Sequence, residues 1–157
     1  MAIDKVRAYF RQFGIEERIL EFGVSSATVD LAAAALGCEP CRIAKTLSFK
    51  NGDVAILIVA AGDARIDNKK YKAQFGAKAA MLHGDEVEQL TGHAIGGVCP
   101  FAVNKGATVY LDESLKRFET VYPACGSSNS AIELTIPQLE QYSGYTAWVD
   151  VSKDVEA

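Results

Sequence analysis

The sequence predicts an α/β (α+β) domain in which helices surround a mixed, largely antiparallel β-sheet or partial barrel. Strand-like segments outnumber helical ones, and short turns join most of them, which favours antiparallel pairing. The chain has 157 residues, and 49% of them are hydrophobic, which is enough for one ordinary core and too little for two. We therefore expect a single domain over residues 1–157.

The two longest predicted strands form a hairpin. Residues 41–50 alternate between two sets of side chains, and residues 54–59 are apolar throughout. The pair Asn51-Gly52 between them tolerates positive φ at both centre positions of a tight turn. A strand that is apolar on both faces is typical of the interior of a sheet, so we place residues 54–59 there.

Capping residues mark the ends of the predicted helices. A side-chain oxygen before the first turn and a glycine after the last turn satisfy free backbone groups of a helix. On this basis helices begin near Asp4, Thr28 and Asp67 and end at Gly14, Gly37 and Gly76, and two more cover residues 84–90 and the segment from Pro137. Shorter strands are predicted over residues 19–22, 78–82, 108–111, 120–122 and 147–149.

Lys45 occupies the apolar face of the first hairpin strand. The odd positions of residues 41–49 carry Cys, Ile, Lys, Leu and Phe, and successive side chains of a strand point to opposite faces, so the lysine is predicted to point inward. An ammonium among apolar neighbours must reach solvent, pair with an internal group, or open into a cleft where a ligand supplies the counter-charge. The sequence pattern leaves these options open, and the last one is a function.

The overall charge does not attract polyanions. The net charge is −4, so a nucleic acid must be held by a local patch. Five of the sixteen basic residues form a candidate patch within fourteen positions, although such a run is also typical of a solvated helix face: Arg65, Lys69, Lys70, Lys72 and Lys78. The N-terminus lacks a leader pattern, and the longest apolar run, residues 54–61, is too short to span a bilayer. We expect a soluble, cytoplasmic protein with no membrane partner.

Four cysteines and two histidines leave several chemistries open. Cys38 and Cys41 have the spacing of a redox pair or of half a zinc site, yet they follow a helix, whereas a redox pair opens one, where the helix dipole lowers the thiol pKa. Buried free thiols in a reducing compartment are the alternative that we favour. Cys99 near His93 is the sequence-local candidate for a nucleophile with its base.

Three segments carry a resemblance to a known family. They are Ile43-Ala44-Lys45-Thr46-Leu47, a glycine-rich loop in which Leu90-Thr91-Gly92-His93 runs into Gly96-Gly97-Val98-Cys99-Pro100-Phe101, and a small-residue loop (residues 124–130) before Ile132-Glu133-Leu134. Their order and spacing resemble those of the YbaK-type aminoacyl-tRNA deacylases, the free-standing relatives of the editing domain inserted in bacterial prolyl-tRNA synthetase. The resemblance runs from about Thr28 to Val149, and the fold it implies agrees with the one predicted above.

The resemblance implies an enzyme that corrects translation errors. Such an aminoacyl-tRNA deacylase hydrolyses the ester between a wrongly attached amino acid and the 3′ end of a tRNA, either tRNA-Pro or a tRNA carrying a small amino acid. It implies Lys45 as the catalytic cation at the terminal phosphate or the ester carbonyl, water oriented by the substrate's ribose hydroxyl, and no cofactor or metal. The implied substrate-binding residues are Gly96, Gly97, Val98, Cys99, Pro100, Gly126, Ser127, Ser128 and Glu133, and the basic residues from Arg65 to Lys78 become the tRNA-binding patch.

The small-residue loop departs from the family pattern. Many relatives carry a glycine-rich turn followed by a basic residue, whereas residues 124–130 contain one glycine and no charge. Ser127, Ser128 and Asn129 favour a small or hydroxylated amino acid, while a cysteine or proline analogue stays open, and a plain turn also uses such residues. Glu133 either meets the substrate's α-ammonium or is a charge at a strand edge.

Two other functions stay open at this point. One is a non-catalytic tRNA- or synthetase-binding module with the same fold, in which Lys45 only anchors a phosphate. The other is a partner of an aminoacyl-tRNA synthetase that receives its tRNA from that enzyme, which explains how an acidic domain meets a polyanion.

Overall fold

This computed structural model describes residues 2–153, which contain five α-helices and eight β-strands. The helices are α1 (Ala2–Arg11), α2 (Val29–Leu36), α3 (Asn68–Phe75), α4 (Gly84–Thr91) and α5 (Ile136–Ser143). The strands are β1 (Leu20–Glu21), β2 (Ile43–Asn51), β3 (Val54–Ala61), β4 (Ala107–Asp112), β5 (Thr120–Pro123), β6 (Ser130–Ala131), β7 (Leu134–Thr135) and β8 (Ala147–Val149). Short 3₁₀ turns lie at Glu16–Arg18, Pro40–Arg42 and Glu113–Arg117.

The strands make two sheets. β1 pairs with β6, and the larger sheet has the order β7-β5-β2-β3-β4-β8. The pairs β2–β3 and β5–β7 are antiparallel, whereas β2–β5, β3–β4 and β4–β8 are parallel. The predicted mixed α/β fold is confirmed. Parallel pairs take a larger share than predicted, and in β3–β4 and β4–β8 the segments that contain α3 with α4 and α5 return the chain to the same end of the sheet.

β3 lies inside the sheet, as its apolar sequence predicts. It pairs with β2 on one edge and β4 on the other, and all its residues after Val54 are buried. The hairpin turn lies one residue later than predicted, because Asn51 pairs with Val54 and leaves Gly52 and Asp53 at the centre. Gly52 has a φ of 63° and Asn51 is not left-handed. Glycine at the first centre position is the requirement of a type II′ turn.

β2 is buried on both faces, so the prediction of one inward and one outward face is wrong. Ala44 and Ser48 of the even-numbered face are as buried as Ile43 and Phe49 of the odd-numbered face. The reason is that Ala44 packs into the core that contains α1, while Phe49 packs into a second cluster that contains α3. Cys41, predicted for this strand, lies in the 3₁₀ turn before it.

Most predicted helix ends are confirmed. Thr28 and Asp67 accept hydrogen bonds from backbone N–H groups in the first turns of α2 and α3. Gly37 and Gly76 end these helices in the left-handed conformation. Both ends of α1 differ from the prediction: Asp4 lies inside its first turn, because the helix already begins at Ala2, and the helix ends at Arg11, three residues before Gly14.

One edge of β2 has a short unpaired stretch between two segments that pair with it. β5 covers this edge up to Ala44, and residues 80–82 cover it from Ser48 onward through two backbone hydrogen bonds. The strand predicted over residues 78–82 is thus reduced to a single bridge. Residues 45–47 lie between these partners, and this gap positions the site.

Candidate active site

A cavity of about 400 Å³ opens beside the gap along β2. Its wall comes from residues 26–29 at the start of α2, residues 43–48 of β2, Met81 and Leu82, Gly96 and Val98 of the glycine-rich loop, and parts of residues 122–131. Most of these side chains are apolar, with a few polar groups among them. That composition is typical of a site for a small organic group.

Among the described wall residues, Lys45 alone carries a charge. Its Nζ donates to the Gly62 carbonyl at 3.2 Å and to the Ala64 carbonyl. These oxygens belong to the turn after β3, which Lys45 reaches because it pairs with Ala60 near the end of that strand. Within residues 2–153 the ammonium is therefore held by main-chain oxygens and not by a bonded carboxylate.

Three effects set the pKa of Lys45. Burial lowers the pKa below its ordinary value, the nearby Asp63 carboxylate raises it, and Arg65 lowers it again. Burial is the largest of the three, so the ammonium is incompletely compensated by the protein. A partly desolvated cation attracts an anionic group into the cavity more strongly than a fully hydrated one.

Hydroxyl groups are the other polar functions of the wall. Thr46 follows Lys45, and its Oγ1 is buried with no hydrogen-bond partner in the described structure. The Ser130 hydroxyl, in contrast, accepts a hydrogen bond from Ser127 at 2.7 Å. Leaving a buried hydroxyl unpaired costs about 1–3 kcal/mol, so Thr46 is a candidate partner for a ligand.

The glycine-rich loop and the small-residue loop touch through their backbones. A Cβ atom on Gly97 would lie 2.7 Å from the Ser127 nitrogen and 2.8 Å from the Gly126 carbonyl carbon, closer than any side chain permits. Gly96 has a φ of 90°, which favours glycine. These two glycines let the loop that carries Val98 close against the segment after β5, and the contact completes the wall.

The cavity wall contains some of the predicted site residues and not others. Lys45, Gly96 and Val98 line it, whereas Gly97, Cys99, Pro100, Gly126, Ser127, Ser128 and Glu133 lie outside the wall. Gly97 and Ser127 are used in the contact between the loops. Ser128 lies next to the wall, since a Cβ atom added to Gly96 would be 3.4 Å from the Ser128 Cβ.

Glu133 has hydrogen-bond partners of its own. Its Oε2 accepts from the hydroxyls of Thr120 at 2.9 Å and Tyr122 at 3.2 Å, and it pairs with Arg42 at 3.4 Å. The Thr120 hydrogen bond is the largest of the effects that lower the Glu133 pKa. Tyr122 also lines the cavity, so Glu133 contacts the site through this tyrosine.

Cys99 and His93 lie together in the core and outside the cavity wall. Both are fully buried, and the Cys99 Sγ is 3.5 Å from the His93 Nε2, which lies 2.7 Å from the Phe101 carbonyl oxygen. Because that oxygen can only accept, Nε2 carries the proton and cannot act as a base toward the thiol. Burial raises the pKa of Cys99 to about 12. This geometry argues against a cysteine nucleophile.

Sequence reasoning missed several wall residues, among them Ser26, Met81, Ile95 and Tyr122. Met81 and Ile95 are large exposed apolar side chains, 59% and 66% exposed. An isolated exposed side chain gives no periodic signal. The bridge between Met81 and Phe49 brings residue 81 to the cavity, and that long-range pairing was the missing information.

The basic patch lies along α3 and the segments beside it. Arg65, Lys69, Lys72 and Lys78 are exposed. Lys70 is half-buried and donates to Asp150 at 3.2 Å and to the Ser152 carbonyl at 2.9 Å. Arg65 is close enough to Lys45 to lower its pKa, so one end of the patch borders the cavity.

The described residues contain no group of three or more His, Cys, Asp or Glu side chains arranged to hold a metal ion. Cys38 and Cys41 are half-buried free thiols, and burial raises the pKa of each. A reactive redox cysteine has a lowered pKa. None of the helices between residues 2 and 153 combines the length and the apolar character needed to cross a membrane.

The fold and the cavity define a class of α/β domain with a mixed sheet and a ligand site at the edge of an internal strand, beside a glycine-rich loop. The family model of the aminoacyl-tRNA editing domain matches residues 24–142. This span contains every wall residue of the cavity. The chain belongs to this family.

The chain is similar to two named bacterial proteins and to a protein of known crystal structure. The chain is 56% identical over 157 residues to YwhH, an uncharacterized protein of Bacillus subtilis strain 168, covering 99% of this chain and 100% of YwhH. It is 32% identical over 109 residues to EbsC of Enterococcus faecalis strain V583, named as a proposed Cys-tRNA(Pro)/Cys-tRNA(Cys) deacylase, covering 68% and 66% of the two chains. A crystal structure of a proposed trans-editing enzyme for prolyl tRNA synthetase superposes with a TM-score of 0.85 at 29% identity over 98% of each chain.

Proposed function

We propose that this protein is a trans-editing hydrolase that cleaves the aminoacyl ester of mischarged tRNA. The observation that carries the proposal is the partly buried ammonium of Lys45 beside a cavity of about 400 Å³ whose described wall is otherwise uncharged. Small-molecule sites have volumes of roughly 300–1,000 Å³, and an aminoacyl group with part of its ribose suits the lower end of that range. Membership of the editing-domain family supports the same reaction.

Lys45 stabilises negative charge at the 3′ end of the tRNA in this proposal. Attack of water on the ester carbonyl gives a tetrahedral oxyanion, whose collapse releases the amino acid and the free ribose hydroxyl of the tRNA. A cation at the terminal phosphate holds the ester in place, and a cation at the carbonyl stabilises the oxyanion directly. The wall residues named above include no carboxylate or imidazole, which suits a reaction in which the substrate's own ribose hydroxyl orients the water.

The wall favours a small amino acid without a charged side chain. A cationic side chain of the attached amino acid would find no counter-charge among the described wall residues. A carboxylate side chain would compete for Lys45 with the terminal phosphate and the ester carbonyl. The hydroxyls of Thr46 and Ser130 offer partners to a small polar group. EbsC is named for cysteine on tRNA(Pro) or tRNA(Cys), so cysteine, alanine, serine and threonine are the amino acids that we propose to test first.

The tRNA-binding patch is proposed to be the exposed basic residues along α3 and the segments beside it, with Arg65 at the end nearer the cavity. Arg65, Lys69, Lys72 and Lys78 are free to contact phosphates from the positions they occupy on the surface. A synthetase that delivers the tRNA is a further proposed partner, because the net charge of −4 gives no overall attraction to a polyanion.

A release assay tests the proposed function. Labelled cysteine, alanine, serine, threonine and proline are each attached to tRNA-Pro and incubated with protein at a small fraction of the tRNA concentration. The expected result is release over many turnovers for at least one mischarged tRNA, with prolyl-tRNA-Pro left intact. The alternative, a non-catalytic tRNA-binding module, retards the tRNA without release, and release no faster than spontaneous hydrolysis throughout the panel contradicts the proposal.

A further inference from the structure

The turn after β3 holds the Lys45 ammonium through the carbonyl oxygens on either side of Asp63. The Asp63 carboxylate itself is engaged by Arg117, whose Nη1 and Nη2 donate to its two oxygens at 3.1 and 2.5 Å. This two-bond arrangement is the strongest and most directional form of a carboxylate pair. Arg117 lies outside the cavity wall, and its hydrogen bonds to the turn that holds Lys45 go to the Asp63 carboxylate.

Arg117 is fixed by contacts that do not involve Asp63. It ends the 3₁₀ turn Glu113–Arg117, and its Nε donates to the Ser114 carbonyl at 3.1 Å. The Ser114 hydroxyl accepts from the Ala61 N–H at 3.1 Å, which ties this turn to the end of β3. At the start of the turn, fully buried Asp112 accepts from the Ser114 N–H. The guanidinium is thus carried on an anchored element.

The other side of the turn after β3 is equally confined. Gly62 packs so closely on the 3₁₀ turn Pro40–Arg42 that a Cβ atom there would overlap the Pro40 carbonyl oxygen. The segment from Ala61 to Ala64 is therefore held between two 3₁₀ turns. Its carbonyl oxygens have little freedom to move, and the anionic group of this segment that could draw the Lys45 ammonium to a new position is the Asp63 side chain, which Arg117 holds.

We propose that Arg117, acting through Asp63, is a positioning residue that keeps the Lys45 ammonium available to the cavity. The inference rests on the proposed role of Lys45 in deacylation. With both carboxylate oxygens occupied by Arg117, Asp63 compensates the ammonium at a distance and does not close on it. Without Arg117, the freed carboxylate pairs directly with Lys45 and draws it away from the substrate.

Steady-state kinetics of three variants provide the first test. Arg117→Ala should lower kcat by about tenfold or more with KM changed by less than about twofold, since a small misplacement of a catalytic group costs up to about a hundredfold. Arg117→Lys should recover part of the loss, because it restores the charge without the two-bond geometry. The matched control is Lys116→Ala, which removes the neighbouring cation of the same turn, one that pairs with Glu113 and lies over the Trp148 ring; its kcat should stay within about twofold of wild type.

An NMR titration of the Lys45 side chain gives a second readout that needs no substrate. The charged groups that act on this ammonium are Asp63 and Arg65 of the turn after β3, with Arg117 reaching Asp63 from the 3₁₀ turn. Asp63 raises the pKa of Lys45, so Asp63→Asn should make Lys45 lose its proton at a lower pH than in wild type. Arg117→Ala frees the carboxylate and should make Lys45 lose its proton at a higher pH. The alkaline limb of kcat should move in the same two directions.

The outcomes separate this inference from the proposed function. A Lys45 titration and a kcat in Arg117→Ala that match those of Lys116→Ala overturn the positioning role, even if wild type is an active deacylase. Opposite titration shifts in a protein that releases no amino acid support the positioning role and reject the proposed function. If Arg117→Ala does not fold, Asp63→Asn and Arg117→Lys carry the test, and unchanged titration in both overturns the inference.

Discussion

Lys45 and Thr46 are consecutive residues of β2, so their side chains point to opposite faces of the strand, yet both line the cavity. The reason is that the cavity lies at an edge of β2 where pairing with β5 has ended and pairing with residues 80–82 has not begun. Alternation decides which face a side chain takes. It does not decide access to a site at the strand edge.

Thr46 supports a prediction that separates stability from function. Its hydroxyl is buried and unpaired in the described structure, so Thr46→Val removes a group that destabilises the folded state. We expect the free energy of unfolding to rise by about 1–3 kcal/mol, while deacylation slows by roughly fivefold if the hydroxyl binds substrate. Urea denaturation and the release assay measure the two effects, and a loss of stability with full activity would reverse the interpretation.

Single residues were predictable from sequence where they broke a local pattern. Lys45 stands out because it interrupts an apolar face, and a place in a cavity wall is one of the options that this pattern leaves open. Glu133 and Cys99 were assigned by resemblance, and their surroundings come from residues distant in the chain: Glu133 pairs with Arg42, and Cys99 is enclosed by the core that contains α1. No local pattern encodes such contacts.

The contact between the two loops gives a prediction for an element. A Cβ on Gly97 would strike the backbone of Gly126 and Ser127, which cannot rotate away. Gly97→Ala should lower the free energy of unfolding by about 1–3 kcal/mol, the usual cost of overpacking, and should also slow deacylation by moving the wall. Gly106→Ala is the matched control, because its Cβ would make ordinary contact at 3.7 Å with Val54. Equal stability of the two variants by urea denaturation would show that the loops are not packed as described.

Helices and the central strand were easier to predict than the edge that forms the site. Thr28, Asp67 and the glycines after α2 and α3 act within four or five residues, so their signal is local. β3 is predictable because its sequence is apolar throughout. The gap along β2 depends instead on where β5 stops and on residues 80–82, about eighty and thirty positions away along the part of the chain that the structure describes. Sequence periodicity holds no information on such pairings.

The charge distribution of the whole molecule determines where tRNA binds and how strongly salt weakens that binding. The net charge is −4, so attraction depends on the patch along α3 that begins at Arg65 beside the cavity. Replacing exposed Lys69 and Lys72 by alanine should weaken tRNA binding and make the slope of log affinity against log salt shallower by about 1–2, because each phosphate contact contributes about 0.9. The rate at saturating tRNA should not change.

A second double variant controls for charge in this salt titration. Lys105 and Lys116 are also exposed but lie outside the patch, so Lys105→Ala with Lys116→Ala should leave the slope unaltered. Equal effects of the two double variants would mean that the chain binds tRNA through general charge, and a larger effect of the control would move the docking surface to another face.

The proposed role of Lys45 is tested most directly by comparing two lysines of β2 in the release assay. Lys45→Ala should lower the deacylation rate by about a hundredfold or more, as when an oxyanion donor is removed. Lys50 is the control, because it is exposed on the same strand and pairs with Glu86 at 3.5 Å, and Lys50→Ala should keep the wild-type rate within about twofold. A folded Lys45→Ala variant that releases the amino acid as fast as Lys50→Ala would contradict the account.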